Sequence, residues 1–405
     1  MIASRPATER TAQGMRYEAS ARGSTPAPFV LGVAGTAKNT GKTTTMAGIM
    51  QEGLARGWRM CLTSIGFDGE ELDNVTGLPK PRIHCEEGVV VATASRCVEA
   101  GTAAFGALED AGIDTALGRV LIGEVRRRGL VVLAGPNKTI DLEALLGRIR
   151  GMRATPDLVL VDGAFGRIAP MTAVDAIVIA TGGSRNRSIP ALARDTEAIV
   201  RVFGIPSLDD AGWAGLFGEV RPSLANGAGC GETLVSYKDG RVATAPGSCL
   251  LGDQAWAAGG LGIAGIRAVF AAGATDAGGI RSFVRSLQER LGGVSLVFSS
   301  PISLMVSGDP VGVATAIDWV ESGGGRVWVR RPVPLLAITV NPFYPVRLSS
   351  GNFAGRFVNR KNLLREFKRR LGVPVWDVVS DRTAGLGEQV ASVLQRRRPV
   401  EMKET

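Results

Sequence analysis

The chain has 405 residues, 45% of them hydrophobic, 21% charged and 5% aromatic, with 54 glycines and a net charge of +9. That is more apolar material than one compact core uses, so two domains are expected, and the glycine-rich, aromatic-poor balance excludes a fibrous or low-complexity chain in favour of an α/β protein. Five scattered cysteines without a C-x-x-C pair exclude a dense disulfide framework and read as free thiols of a reducing cytoplasm, while a lone histidine, His84, excludes most zinc sites and Ser-His or Cys-His catalysis.

Residues 1–28 lack both apolar periodicity and the apolar stretch of a secretory signal, and read as a tail. No apolar run reaches the roughly 18 residues of a membrane helix, so no membrane partner is expected. The first ordered element is expected at 29–34, a short apolar run between Pro28 and Gly35 that reads as a buried parallel strand. Over 42–56, Met46, Ile49, Met50 and Leu54 recur at helical spacing, and Gly57 follows as a stop. Apolar runs at 59–65, 88–93, 130–134, 158–161 and 176–180, separated by helical patterns, predict a parallel sheet flanked by helices. Its crossovers would be right-handed and its ligand would lie at the carboxyl ends of the strands.

Around 207–260 the composition turns to Gly, Ala and short polar stretches without a period. Beyond it, runs at 268–272, 295–298, 326–329, 335–340 and 373–378 alternate with helical segments at 280–291, 311–322 and 359–371. The expected organisation is a tail (1–28), a first α/β domain (29–206), an irregular connection (207–260), a second, smaller α/β domain (261–395) and a charged tail (396–405). The basic clusters at 126–128 and 396–398 read as solvated faces. So does 359–370, the one weak candidate for nucleic-acid binding, and no nucleic-acid partner is expected.

Between the first strand and the first helix lies Gly35-Thr36-Ala37-Lys38-Asn39-Thr40-Gly41-Lys42-Thr43-Thr44. This strand, loop and helix order is the context of a phosphate-binding P-loop. Gly35 and Gly41 let the backbone turn so that several N–H groups, from Thr36 through Thr44, aim at phosphate oxygens, and the helix dipole points the same way. Lys42 would bridge the β and γ phosphates of ATP, and the Thr43 hydroxyl would ligate Mg²⁺. The strict G-x-x-x-x-G-K-[ST] pattern would begin at Thr36, so the loop departs from it by one position.

A second acid for the metal is offered by Asp162, which ends the apolar run 158–161; the alternative is an Asp that opens the turn before Gly163. After the second strand, Asp68, Glu70, Glu71 and Asp73, with Lys80 beyond, form an acidic loop in which Asp68 is the expected metal or water contact. The alternative there is a solvated acidic loop. After 176–180, Arg185 and Arg187 are placed to contact phosphate or a partner, or belong to a plain turn.

The Gly-Thr, four residues, Gly-Lys-Thr loop resembles that of dethiobiotin synthetase and of the cobyrinic acid amide synthetases, with Asp162-Gly163-Ala164 in place of their Glu-Gly-Ala. Relatives that carry a signature lysine have it at the position of Ala37. Lys38 is displaced by one residue, so the homodimer that such relatives form through it is not carried over by that residue. Over more of the chain, GTAKNTGKTTT, TSIGFDGEELDNVTGLPKP, VDGAF, TAVDAIVIATGGSRN and Ile338-Thr339-Val340-Asn341-Pro342-Phe343 resemble the P-loop subunit of lysine 5,6-aminomutase reactivases. That resemblance implies a cytoplasmic ATPase that restores a cobalamin-dependent aminomutase together with a MutS-like ATPase subunit. A ligase of the dethiobiotin synthetase type, phosphorylating a small carboxylate or carbamate, is the second reading, and a nucleotide-dependent scaffold the third. The missing Cys-His pair speaks against glutamine hydrolysis.

Overall fold

The computed structural model describes residues 27–67, 83–220, 232–253, 256, 260–287, 291–379 and 384–397. The first nine strands are β1 (Phe29–Gly35), β2 (Met60–Ser64), β3 (Ile83–Cys85), β4 (Val90–Ala94), β5 (Ala104–Thr115), β6 (Gly118–Arg127), β7 (Gly129–Val131), β8 (Leu158–Ala164) and β9 (Ala176–Gly182). Next come β10 (Glu232–Tyr237), β11 (Val242–Pro246), β12 (Ile266–Ala271), β13 (Ser295–Phe298) and β14 (Arg326–Val329). The last four are β15 (Leu335–Asn341), β16 (Phe343–Arg347), β17 (Phe353–Phe357) and β18 (Val375–Asp377). The protein is a mixed α/β fold built on a large, mainly parallel sheet of order β18-β15-β9-β1-β8-β2-β4-β6-β5.

β1 is buried along its whole length because both faces of the sheet are covered. Phe29, Leu31 and Val33 point to one side, where they pack with Met46, Ile49 and Met50 of the helix Lys42–Ala55 (α1) and with Leu386 and Val390 of the helix Ala384–Arg397. Val30 and Ala34 point to the other, towards the helices Thr139–Arg150 and Ile189–Phe203. This alternation is the period of two that a strand imposes.

A second sheet of order β11-β10-β12-β13-β14 stands beyond the second helix layer. Its β12, β13 and β14 are parallel, and β10 and β11 antiparallel. Val235, Val269, Leu296 and Phe298 on its inner face, with the helices Ala277–Ser286 and Pro310–Ser322, belong to the same apolar cluster as Val30 and Ala34. The outer face carries Leu234, Phe270 and Val297, covered by Trp213 and Phe217 of the helix Asp210–Phe217. Each buried Leu, Ile or Phe of that shared cluster is worth about 1.5–3 kcal/mol, so the two sheets are joined by a core and not only by chain connections.

Three expectations are corrected. The segment 207–260 is not irregular, since it contains a helix, β10 and β11. β15 and β18, expected in the second domain, extend the main sheet: β15 pairs in parallel with β9, and β18 with β15. Third, the stretch between β4 and β7 is not helical beyond the short Ser95–Glu99 turn, because β5 and β6 form a long antiparallel hairpin at the sheet edge. The tails 1–26 and 398–405 lie outside the described residues. No helix among the described residues is long and apolar enough to cross a membrane.

Candidate functional site

Strand order reverses around β1. The chain leaves it through α1 toward β2 on one side, and later continues from β9 to β15 on the other. In an open parallel sheet the crevice beyond the strand ends at such a switch point is where ligands sit. The loop Gly35–Lys42 lies in that position.

Local geometry follows from residue type. Gly41 adopts φ 89° and Asn39 φ 62°, the latter the only described residue other than glycine with a positive φ. Asn tolerates the left-handed region better than most residues. Gly41 is the N-cap of α1 and offers no side chain to cap it, and the first intrahelical bond runs from Thr45 N to Gly41 O at 2.8 Å. The amides ahead of Thr45 therefore have no carbonyl one turn back, and they face the loop. No acidic residue stands in that first turn. Uncapped amides with the positive end of the dipole make an anion cradle.

The cradle is braced from β9, which pairs with β1, and from β15 beyond it. Thr36 N donates to Ala180 O at 2.9 Å, and Thr36 Oγ1 to Thr181 Oγ1 at 2.9 Å, tying the loop's start to β9. Within the loop, Thr40 Oγ1 donates to Ala37 O at 2.9 Å. Thr45 Oγ1 donates to Gly41 O at 3.0 Å and shares a 2.9 Å hydrogen bond with Thr339 Oγ1 of β15. Asn341, the last residue of β15, donates from Nδ2 to Asn39 O at 3.0 Å and accepts from Phe343 N at 3.1 Å. Ser184 Oγ reaches Phe343 O at 3.0 Å from the β9 side.

The charged centre is a pair. Lys42 Nζ lies 3.0 Å from Asp162 Oδ1, which β8 delivers because it runs beside β1 in register, with Val33 opposite Asp162. Asp162 is buried and Thr43 half-buried in the first turn of α1. A carboxylate and a hydroxyl are hard oxygen donors of the kind Mg²⁺ accepts, with its remaining positions left to water and phosphate, so these residues fit that ion.

No protein-family model matches the chain, and no curated protein matches it. Among solved structures, pNOB8 ParA bound to nonspecific DNA is similar over 41% of this chain and 57% of that one, at 16% identity and a TM-score of 0.22. The matched region thus spans a little over half of that protein's length, and a likeness at this score carries no argument about fold or ligand.

The structure brings together Gly35, Thr36, Asn39, Thr40, Gly41, Lys42, Thr43, Thr44 and Asp162 at one strand edge. Lys38 is exposed on the loop. Asp68 and the acidic loop through Lys80 lie outside the described residues. Arg185 faces Asp195 at 3.9 Å, and Arg187 sits over the Tyr344 ring at 5.1 Å. Sequence reasoning missed the brace from Thr339 and Asn341. Its signal was available, an apolar strand ending in Thr-x-Asn-Pro, but nothing local says that this strand runs next to β9.

Proposed function

We propose that this chain is an ATP-binding P-loop ATPase. What carries the reading is the Lys42–Asp162 pair at 3.0 Å beside an uncapped helix start, all at the switch point of a parallel sheet. When bound, ATP with Mg²⁺ supplies the phosphoanhydride and a cation that offsets its charge. Lys42 turns its ammonium from Asp162 to the β and γ oxygens, and the amides of Thr43 and Thr44 donate to the same anion. Thr43 and Asp162 would hold the metal, and the exchange of partner by Lys42 releases the Asp162 carboxylate for that task.

Titration calorimetry with ATP and Mg²⁺ on the wild-type chain and on Lys42→Ala tests this. Binding is expected in the wild type, with a loss of about a hundredfold or more in the variant. Equal affinity for the two would overturn the reading.

At finer grain, the resemblance to reactivase subunits makes a cobalamin-dependent aminomutase and a MutS-like ATPase subunit the partners to test. Phosphate release that rises on adding the purified aminomutase supports that role, and release indifferent to it counts against the role while leaving the ATPase reading intact. The ligase reading has one observation in its favour, a narrow crevice lined by Thr36, Phe165, Thr181, Arg185, Asp195 and Pro310. Its volume of about 10 Å³ leaves room for roughly one water, and Asp195 already faces the arginine a carboxylate would need, so the ligase reading is the weaker.

A further inference from the structure

Charge is concentrated in one stretch of the chain. Residues 343–371 hold eight basic side chains and one acidic one, a net +7 against +9 for the whole sequence. The fold gathers them on two elements in direct succession, the two-stranded ribbon β16–β17 and the helix Arg360–Arg370, with Val358 and Asn359 between.

On the helix, Lys361, Arg365, Lys368 and Arg369 follow one another at i, i+4, i+7 and i+8, a single exposed stripe, while Leu363 and Phe367 are buried. On the ribbon, Arg356 stands opposite Tyr344, which carries Arg187 over its ring, and Arg347 stands opposite Phe353. Phe357, at the ribbon's helix end, is 64% exposed. Some of the charge is satisfied internally: Arg360 pairs with Asp377, Arg369 and Arg370 share Glu366, and Arg370 also reaches Glu197. Arg347, Arg356, Lys361, Arg365 and Lys368 meet no acid among the described residues.

Unbalanced charge of one sign, spread over a ribbon and a helix, is poorly suited to the core of a protein–protein interface, where charged residues taken together are depleted. It suits a polymer with a phosphate at every step. An exposed aromatic ring amid the cations adds a platform on which an unpaired base can stack, which a base inside a duplex cannot use. We propose that the ribbon β16–β17 and the stripe of the helix Arg360–Arg370 bind single-stranded nucleic acid, phosphates on the cations and a base on Phe357. This reverses the expectation that 359–370 is merely a solvated face, and it stands independently of the nucleotide reading.

The test is fluorescence anisotropy of a labelled oligothymidine of about 20 nucleotides with the full chain, from about 50 mM salt upward. Salt-dependent binding is expected. The triple variant Lys361→Ala, Arg365→Ala, Lys368→Ala should weaken it at least about tenfold and flatten the log–log salt slope by about two, at roughly 0.7 per lost phosphate contact. Phe357→Ala should weaken it about tenfold and leave the slope in place. Circular dichroism and melting temperature serve as folding controls, since every substituted side chain is exposed. Three results would each overturn the proposal: no binding at the lowest salt, variants that bind like the wild type, or a duplex of equal length bound more tightly. Displacement by polyglutamate as readily as by unlabelled oligonucleotide would do so too, and would assign the surface to an acidic protein.

Discussion

Lys42 Nζ and Asp162 Oδ1 are 3.0 Å apart, in side chains only 11% and 6% exposed. Stranding one member of so dry a pair costs about 3–5 kcal/mol, so the ammonium leaves the carboxylate only for another anion. Asp162→Asn removes the competing charge while keeping the shape. ATP affinity should change by less than about tenfold and turnover should fall by about a hundredfold or more. Calorimetry beside a phosphate-release assay measures both, and a parallel loss of the two would refute the role given to Asp162.

Asn341 works on the loop from β15. Its Nδ2 holds Asn39 O at 3.0 Å, across a residue whose φ of 62° is already unfavourable. Asn341→Ala should weaken ATP about tenfold and lower the unfolding free energy by about 1–2 kcal/mol. Asn341→Asp, which keeps the acceptor for Phe343 N but brings a negative charge to the cradle, should lose more affinity than stability. The pair of variants is compared by calorimetry and urea unfolding, and a normal affinity in both would remove Asn341 from the site.

Gly41 is constrained twice. Its φ is 89°, and a Cβ there would come within 2.9 Å of Val378 Cγ2 and 3.2 Å of Asn341 Cβ. Gly41→Ala should cost about 1–3 kcal/mol in urea unfolding and abolish detectable ATP binding. Adding Val378→Ala relieves the closer of the two contacts and leaves the backbone conformation as it is, so stability should recover partly and binding should not. Full recovery of both would mean that backbone conformation at Gly41 is unimportant.

The thiols give a pH-dependent check on the core. Burial, with the neighbouring Cys85 thiol adding to it, pushes Cys61 up to about 12, and burial, then Glu86, pushes Cys85 to about 12 as well. A pKa raised in the folded state stabilises fully below the unfolded value near 9 and loses that contribution as pH climbs toward 12. Melting temperature should therefore fall over that alkaline window, and less steeply in the double variant Cys61→Ala, Cys85→Ala. Mapped alkylation at neutral pH should leave Cys61 and Cys85 unmodified until the chain is unfolded, and rapid native labelling of either would contradict their burial.

How much could be read in advance depended on distance along the chain. β1, the loop and α1 are contiguous, and each was legible because its information is local: an apolar run, two glycines, then helical spacing ended by Gly57. The helices Pro310–Ser322 and Arg360–Arg370 were legible for the same reason. The β5–β6 hairpin was not. Its turn is Ala116-Leu117, without the Asn-Gly or Asp-Gly that marks tight hairpins, and its register is broken in three places, which blurs the alternation.

Residue types alone therefore determined a strand, a glycine-bounded loop and a helix start without a side-chain cap between residues 35 and 44, since the needed φ values and uncapped amides arise within a few residues. Which strands stand beside it was decided by tertiary structure. An apolar strand such as Leu335–Asn341 satisfies either sheet equally well, and parallel pairing leaves no trace in the intervening chain. The partners of the cradle, Asp162 across from Lys42 and Asn341 beneath Asn39, come from strands remote in sequence, and only the packing of β8 and β15 around β1 and β9 delivers them.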